Sequence, residues 1–104
     1  MNRKSTLLYV FQIFFFSVII NFAHAACETD RSGIVHCSRY PGGGAALSVD
    51  GNVVCGKGEC QRNKFGRFEC SIVEGGGAGR DHRGTVRCLG GCEEASEDRC
   101  ELGK

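Results

Sequence analysis

The sequence predicts a small all-β domain that is held together by disulfide bonds. Three observations lead to this prediction: an apolar leader, a high density of cysteine in the rest of the chain, and an internal repeat with a period of 33 residues. Nothing in the repeat has the 3.6-residue spacing of apolar side chains that an amphipathic helix needs. We therefore expect short strands joined by tight turns.

The leader has the three parts of a secretory signal peptide. Arg3 and Lys4 precede an apolar run over residues 7–23, which ends in the small-x-small sequence Ala23-His24-Ala25. A membrane anchor is the alternative, but a 17-residue run, interrupted by Gln12, Ser17 and Asn21, stands at the lower limit for crossing a bilayer. We expect residues 1–25 to be removed, so that residues 26–104 are exported as one domain.

The predicted exported chain is almost neutral. It carries 11 Lys and Arg against 12 Asp and Glu, a formal charge of −1. Such a balance gives no overall field that would attract nucleic acid or an anionic membrane. Residues 26–104 also contain no second apolar stretch, so we expect no membrane anchor and no nucleic-acid partner, and we expect a monomer.

Eight cysteines remain after the leader. A short exported chain with an even number of cysteines is typical of a disulfide framework, because so small a domain buries too little apolar surface to be stable without cross-links. The spacings of the later cysteines would also suit zinc, but an oxidising route favours disulfides. Eight cysteines allow 105 pairings, and the sequence leaves the choice open. They are Cys27, Cys37, Cys55, Cys60, Cys70, Cys88, Cys92 and Cys100.

The internal repeat divides the exported domain into three parts. Residues 37–55 and 70–88 align without a gap: both begin Cys-Ser, share Gly-Gly-Gly-Ala, and end Gly-x-Val-x-Cys. The match extends backward through Cys, five residues, Gly, three residues, Cys. Repeat 1 is therefore residues 27–59, repeat 2 is residues 60–91, and a closing tail follows over residues 92–104. We predict two β-hairpins per repeat and an approximate internal twofold.

Each predicted hairpin ends in the pattern Gly-x-apolar-x-Cys. The glycine suits the positive φ of a three-residue hairpin turn, and alternation along the strand directs the apolar residue and the cysteine to the same face. This register places Cys27 opposite Cys37, Ala45 opposite Cys55, Leu47 opposite Val53, Cys60 opposite Cys70 and Arg80 opposite Val86. The inward pairs are Val35 and Cys37, Val53 and Cys55, Phe68 and Cys70, and Val86 and Cys88. In the tail, residues 93–101 could make one short helical turn.

No residues are predicted to be catalytic or to bind a metal or a cofactor. The two Gly-rich loops, residues 41–44 and 74–77, lack the following helix with Lys and Ser/Thr that phosphate binding needs. Ser38 and Ser71 follow equivalent cysteines and are interpreted as bonding to local backbone at strand ends. His36 is predicted on an outward strand position and His82 at a turn. The acidic cluster over residues 93–98 is interpreted as a solvated face.

One surface patch is a candidate for binding. Phe65 is predicted at a turn among basic residues, and an exposed aromatic beside cations suits an acidic partner or a sugar. The alternative is that Phe65 covers a thin core. The patch consists of Arg62, Lys64, Phe65 and Arg67.

The tandem layout, with its Cys-Ser, Gly-Gly-Gly-Ala and Gly-Gly-Cys-Glu elements, resembles small secreted cysteine-rich proteins of plant-associated fungi. That group is treated as candidate effectors, and it is defined by size, export and cysteine content. The resemblance implies an extracellular, non-catalytic, effector-like virulence protein that binds a host protein or glycan, and it carries no residue-level role. Two alternatives remain open: an antimicrobial or membrane-active toxin, and a protease inhibitor.

Overall fold

The computed structural model describes residues 25–104, which form an all-β domain without α-helices. The predicted signal peptide lies outside the described residues except for Ala25. Among residues 25–104, no helix is long and apolar enough to cross a membrane. The strands are β1 (Cys27–Thr29), β2 (Val35–Ser38), β3 (Ala45–Leu47), β4 (Val53–Cys55), β5 (Cys60–Arg62), β6 (Phe68–Ser71), β7 (Ala78–Arg80), β8 (Val86–Cys88), β9 (Cys92–Glu94) and β10 (Cys100–Leu102).

The first eight strands pair as the four predicted antiparallel hairpins. Two hairpins gain a third strand from the tail, so the sheet orders are β1-β2-β10, β3-β4, β5-β6-β9 and β7-β8. The predicted register is confirmed in every hairpin. The observed pairs include Cys27 with Cys37, Leu47 with Val53, Ala45 with Cys55, Cys60 with Cys70 and Arg80 with Val86.

All four hairpins turn in the same way. In the second hairpin the Gly51 N–H donates to the Ser48 carbonyl at 3.0 Å, and the Ser48 N–H donates to the Asn52 carbonyl at 2.8 Å. This is a type I turn followed by a left-handed residue, a position that favours glycine because it lacks a Cβ. The predicted positive φ is confirmed at Gly33 (89°), Gly51 (91°), Gly66 (85°) and Gly84 (84°).

Strands β9 and β10 were not predicted. Cys100 lies opposite Ser38, and Cys92 lies opposite Ser71, so the two tail strands occupy corresponding places in the two three-stranded sheets. Between them is a short 3₁₀ turn at Glu97–Arg99, where Ser96 Oγ accepts from the Asp98 N–H at 3.2 Å. The helical turn predicted in this segment is therefore confined to three residues.

The eight cysteines of the described chain form four disulfide bonds, and none is free. Cys27–Cys37 and Cys60–Cys70 each close a hairpin with a sequence separation of 10. The other two join a hairpin to the tail strand: Cys55–Cys100 links β4 to β10, and Cys88–Cys92 links β8 to β9. The two repeats thus share hairpin register and cross-link placement, while the approximate twofold between them stays a prediction.

The core is thin, and three of its five buried apolar residues are cysteines. The buried apolar residues are Val53, Cys55, Cys70, Val86 and Cys100. These include both inward residues predicted for β4 and one each for β6 and β8. The prediction is wrong for Val35, which is 42% exposed, because the first hairpin has little packed on its inner face beyond the backbone of Gly103. Cys37, Phe68 and Cys88 are half-buried.

The Gly-rich loops lie against the segment that links the repeats. Residues 40–43 form a type II turn in which Gly42 has a φ of 73° and the Gly43 N–H donates to the Tyr40 carbonyl at 2.9 Å. A Cβ on Gly43 would collide with Ser38 Oγ and with the Gly56 carbonyl oxygen. The loop therefore needs glycine for close packing as well as for turning.

Candidate functional site

The predicted binding patch lies at and beside the tip of the hairpin β5–β6. Phe65 is 79% exposed, so the alternative in which it covers the core is wrong. Lys64 Nζ stands over the Phe65 ring, 5.3 Å from its centroid. Arg62 is exposed on β5, and Arg67 is exposed just before β6 begins. The four predicted residues are thus brought together on one hairpin.

The turn that carries Phe65 is held by its own side chains. Asn63 Oδ1 accepts from the Phe65 N–H at 2.9 Å and from the Arg67 N–H at 3.1 Å. The Asn63 amide also donates to Glu69 across the strands at 3.0 Å. The Cys60–Cys70 bond closes the base of the same hairpin. A backbone fixed in this way presents Phe65 with little ordering entropy left to lose on binding.

The neighbouring hairpin β7–β8 extends the basic surface. The Lys64 N–H donates to the Gly84 carbonyl at 3.1 Å, so the two tips touch, and Arg80 Nη1 donates to the Arg62 carbonyl at 3.2 Å. Arg83 immediately precedes Gly84 in the touching tip. We call the resulting surface the basic face, and its cations are Arg62, Lys64, Arg67, Arg80, Arg83 and Arg87.

Sequence reasoning missed the three arginines of β7–β8. They lie 13 or more residues after Arg67 in the chain, and only the pairing of the two tips brings them together. A charge count by repeat would have signalled them: repeat 2 has six Lys and Arg against three Asp and Glu, whereas repeat 1 has three against four.

Asp81 is the acid nearest the basic face. Its carboxylate accepts from the backbone N–H groups of Thr85 and Arg83 at 3.0 and 2.9 Å, and it lies 3.7 Å from the Arg87 Nε. The backbone bond from Thr85 is the largest of the influences that lower the pKa of Asp81 below its ordinary value. Asp81 therefore stays ionised and builds the turn, and its charge offsets only part of the cationic surface.

A second polar group lies in repeat 1, where His36 and Asp30 form an ion-pair geometry. His36 Nε2 is 2.8 Å from Asp30 Oδ2, and both side chains are partly exposed. The pKa of Asp30 is lowered, first by the backbone N–H of Ile34 and then by the side chain of His36. The pair lines an open cavity of about 410 Å³ beside Arg39 and Glu97.

His82 lies exposed in the turn of β7–β8, as predicted. Within residues 25–104, no three His, Cys, Asp or Glu side chains converge as a metal site would require. His36 and His82 thus lie on different repeats.

Ser38 and Ser71 occupy equivalent positions in the two repeats, and both are buried and hydrogen-bonded to backbone groups. Ser38 Oγ donates to the Gly56 carbonyl at 2.8 Å, and Ser71 Oγ donates to the Leu89 carbonyl at 2.5 Å. Each partner lies 18 residues further along the chain, so the bonds join hairpins rather than neighbouring residues. Each hydroxyl also accepts from the N–H two residues further on, that of Tyr40 or Val73, which is the predicted bonding to local backbone. The bonds between hairpins were not predicted, and a buried hydroxyl in this role is poorly placed to act as a nucleophile.

The acidic cluster of the tail is partly structural. Glu93 is half-buried, and its carboxylate accepts from Arg99 Nη2 at 3.1 Å. Glu94, Glu97 and Asp98 are exposed. The interpretation as a solvated face is therefore right for three of the four acids and wrong for Glu93, because pairing of β9 with β6 draws Glu93 against the sheet.

Comparison with known proteins gives no match: no protein-family model, no curated protein and no solved structure is similar to this chain. The functional argument therefore depends on the surface itself. Two features of the protein support a functional argument: the basic face of repeat 2, and a small disulfide-linked fold that is compatible with an extracellular protein.

Proposed function

We propose that this protein acts outside the producing cell as a non-catalytic, effector-like binding protein that contacts a host protein or glycan through the tips of its hairpins. The observation that supports this most directly is Phe65, a large aromatic side chain held in solvent at the tip of a cross-linked hairpin. Exposed aromatic side chains on rigid supports are typical anchors of binding surfaces. The four disulfides support an oxidising, extracellular setting.

The absence of a built reaction centre among residues 25–104 is consistent with binding. The serine hydroxyls donate to backbone carbonyls, and the His36 ring pairs with Asp30 on a partly exposed strand. The described cavities are open surface depressions of a small domain, whereas active sites are usually enclosed. Contact with a partner is the activity that this surface supports best.

The test measures binding of the labelled, disulfide-bonded protein to cell-wall and extracellular fluid preparations from plants. We expect saturable binding that Phe65→Ser lowers by about tenfold, because an exposed anchor residue at an interface contributes on that scale. Val49→Ser is the matched control, since Val49 is an equally exposed apolar residue at another hairpin tip, 79% exposed like Phe65. Val49→Ser should leave this binding unchanged.

Two results would contradict the proposal. One is the absence of saturable binding to any preparation by protein whose four disulfides are verified. The other is chemical turnover of the bound material, which would make the protein an enzyme. Equal losses of binding in both variants would show that binding depends on exposed apolar side chains in general rather than on a site at Phe65.

One observation favours the membrane-active alternative. The tips of repeat 1 expose apolar side chains next to the cationic tips of repeat 2, and such a pairing resembles the surfaces that enter a membrane interface. Ile34 is 49% exposed and Leu47 is 45% exposed. Release of dye from anionic vesicles, reduced by Val49→Ser and not by Phe65→Ser, would select this function over the first.

A further inference from the structure

The two hairpins of repeat 2 present a concentration of positive charge that the protein as a whole does not have. Residues 60–91 carry six Lys and Arg against three acids, in an exported chain whose formal charge is −1. At an ionic strength of 0.1 M, charges interact over about 10 Å, so a partner at this surface would respond to the local excess rather than to the total.

Most of these cations have no acidic partner among the described residues. The one salt bridge within the basic face joins Arg87 to Asp81 at 3.7 Å, and the Arg87 side chain is still 78% exposed. Arg80 donates to a carbonyl oxygen, which leaves its charge uncompensated. Glu69, the acid on the neighbouring strand, is engaged by the amide of Asn63. The basic face is therefore available to an anion supplied from outside.

The matched positions of repeat 1 show that the cations are not required by the hairpin fold. The 33-residue period sets Thr29, Arg31, Ile34, Leu47, Asp50 and Val54 at the places of the six cations of the basic face. Repeat 1 makes the same strand register and the same contact between tips, with the Arg31 N–H donating to the Gly51 carbonyl at 3.0 Å. Five of the six cations are thus additional to what the backbone needs.

The shape of the basic face selects the form of the anion. Its charges are spread over two adjoining tips and over both sides of the strands beneath them, since Arg62 and Arg80 lie opposite Phe68 and Val86 while Arg67 and Arg87 alternate to the other side. A small anion would meet one or two of them, whereas an extended chain with a repeated negative charge would meet several at once. Phe65, with Lys64 over its ring, adds a flat apolar surface beside a cation. A pyranose ring has a complementary apolar face, and an acidic sugar has an anionic group next to it.

We propose that the basic face of repeat 2 binds an anionic polysaccharide, with carboxylate or sulfate groups along its chain meeting the cations of the touching tips and a sugar ring packing on Phe65. This inference deepens the proposed function and rests on it, since it names a glycan as the partner class. Single-stranded nucleic acid also combines charge with stacking, but the predicted export of the chain favours a glycan.

The experiment measures affinity for immobilised polygalacturonate and heparin, with a neutral β-glucan and single-stranded DNA as comparison ligands. We expect binding to one or both acidic glycans that weakens steeply with added salt, because bound counterions are released when several cations engage a polyanion. Preference for polygalacturonate or for heparin distinguishes carboxylate from sulfate as the source of charge. The neutral glucan should not bind.

The deciding variants reverse two charges in each repeat. Lys64→Glu with Arg83→Glu removes the cations of the touching tips, and we expect affinity to fall by about 30-fold and the salt slope to become shallower. Arg31→Glu with Lys57→Glu is the matched control, since it changes the net charge equally in repeat 1 and includes the position equivalent to Lys64. Its affinity should change by less than about twofold. All four side chains lie outside the buried core, so both variants should retain the fold and the disulfides.

Three results would overturn the inference: equal losses in the two variants, binding that is insensitive to salt, or tight binding of DNA without binding of either acidic glycan. Failure here leaves the proposed function intact if Phe65→Ser still lowers binding to host material. Failure of the proposed function is equally recognisable, because glycan binding would then persist without any binding to the host preparations.

Discussion

Repeat 1 and repeat 2 share a backbone plan and present different surfaces. Both place a hydrogen-bonding side chain at the start of the first turn, where Asp30 and Asn63 each accept from two backbone N–H groups. Both bury a serine that bonds to the end of the second hairpin. The exposed tips nevertheless carry Val49 and Ile34 in one repeat and Arg67 and Arg83 in the other. Turn chemistry and cysteine placement thus fix the hairpins, and the outward side chains are free to specialise.

The repeats differ also in how the tail closes them. The bond Cys88–Cys92 spans a sequence separation of 4, and the bond in the corresponding place, Cys55–Cys100, spans 45. The longer loop contains all of repeat 2. The same cross-link in space therefore restricts the unfolded chain to very different extents, which allows the contribution of loop length to be measured inside one protein.

The largest expected effect comes from removing these two cross-links one at a time. Replacing Cys55 and Cys100 by alanine should lower the free energy of unfolding by about 4 kcal/mol, and replacing Cys88 and Cys92 by about 2 kcal/mol, from the loop entropy alone. Burial of both Cys55 and Cys100 adds a packing loss to the first value. Denaturant unfolding of the two double variants measures the difference.

The control for loop length is the pair of hairpin disulfides. Cys27–Cys37 and Cys60–Cys70 have the same separation of 10, so their removal should have similar costs of about 2.7 kcal/mol each. If the bonds that span 45 and 4 residues were equally costly to remove, the loop-length account of the comparison would be wrong.

Glycine substitutions should give the next largest effect and should also separate the repeats. Gly43→Ala should cost about 1–3 kcal/mol, since the new methyl group would meet the fixed carbonyl oxygen of Gly56 as well as Ser38 Oγ. Gly76→Ala, at the equivalent position, should cost less, because the nearest backbone atom to its new methyl group is the Val73 carbonyl oxygen at 3.0 Å, farther than the carbonyl oxygen that faces Gly43. Thermal unfolding of the two variants tests the order.

Gly79→Ala is the control for these glycines. Its Cβ would meet nothing within 4 Å, and Gly79 is not among the glycines with positive φ. We expect no loss of stability and a small gain, because alanine restricts the unfolded chain more than glycine does. A loss as large as that of Gly43→Ala would show that β-strand glycine, rather than close packing, decides the result.

The smallest effect concerns pH. The folded pKa of Asp30 lies below its unfolded value, so its contribution to stability is present above the unfolded pKa, near 3.9, and is lost as the pH falls through the folded pKa. Asp30→Asn gives repeat 1 the amide that repeat 2 has at Asn63. In this variant the free energy of unfolding should fall less between about pH 6 and about pH 2 than it does in the parent protein, as measured by denaturant unfolding at each pH.

The reciprocal variant sharpens the same comparison with the opposite sign. Asn63→Asp places a carboxylate against Glu69, where the amide now donates at 3.0 Å. Repulsion between two half-buried carboxylates should lower stability by about 1 kcal/mol at neutral pH, and acid should relieve it. If the stability of Asn63→Asp decreased as the pH was lowered, as we expect for the parent protein, this assignment of the turn acceptors would be wrong.

The sequence predicted the hairpins, their register and their turn glycines because each of these is determined by residues that are close together in the chain. A glycine four residues before a cysteine marks both a turn and a strand, and this pattern occurs four times in the two repeats. The two tail strands escaped prediction because glutamate-rich segments such as Cys92–Glu94 have low strand propensity, and they are strands only through pairing with distant partners. The disulfide pairing depends on those strands and was left open for the same reason.

The binding patch was predictable only in part. Lys64, Phe65 and Arg67 are neighbours in the chain, and their exposure follows from the turn between them. The contribution of Arg80 and Arg83 depends on how two hairpins lie side by side, which the sequence does not state. Val35 failed for a related reason: alternation assigns a face to a residue, but it does not say whether another element covers that face.

The bond between Cys55 and Cys100 has a consequence for the order in which the domain can be completed. The amino-terminal half leaves the ribosome first, yet its three-stranded sheet lacks an edge until residues 100–102 have been made. The carboxy-terminal half needs nothing beyond Glu94 for its own sheet. The half that is synthesised first is therefore completed last. A chain that stops a few residues early would leave the first sheet without its third strand and Cys55 without its disulfide partner.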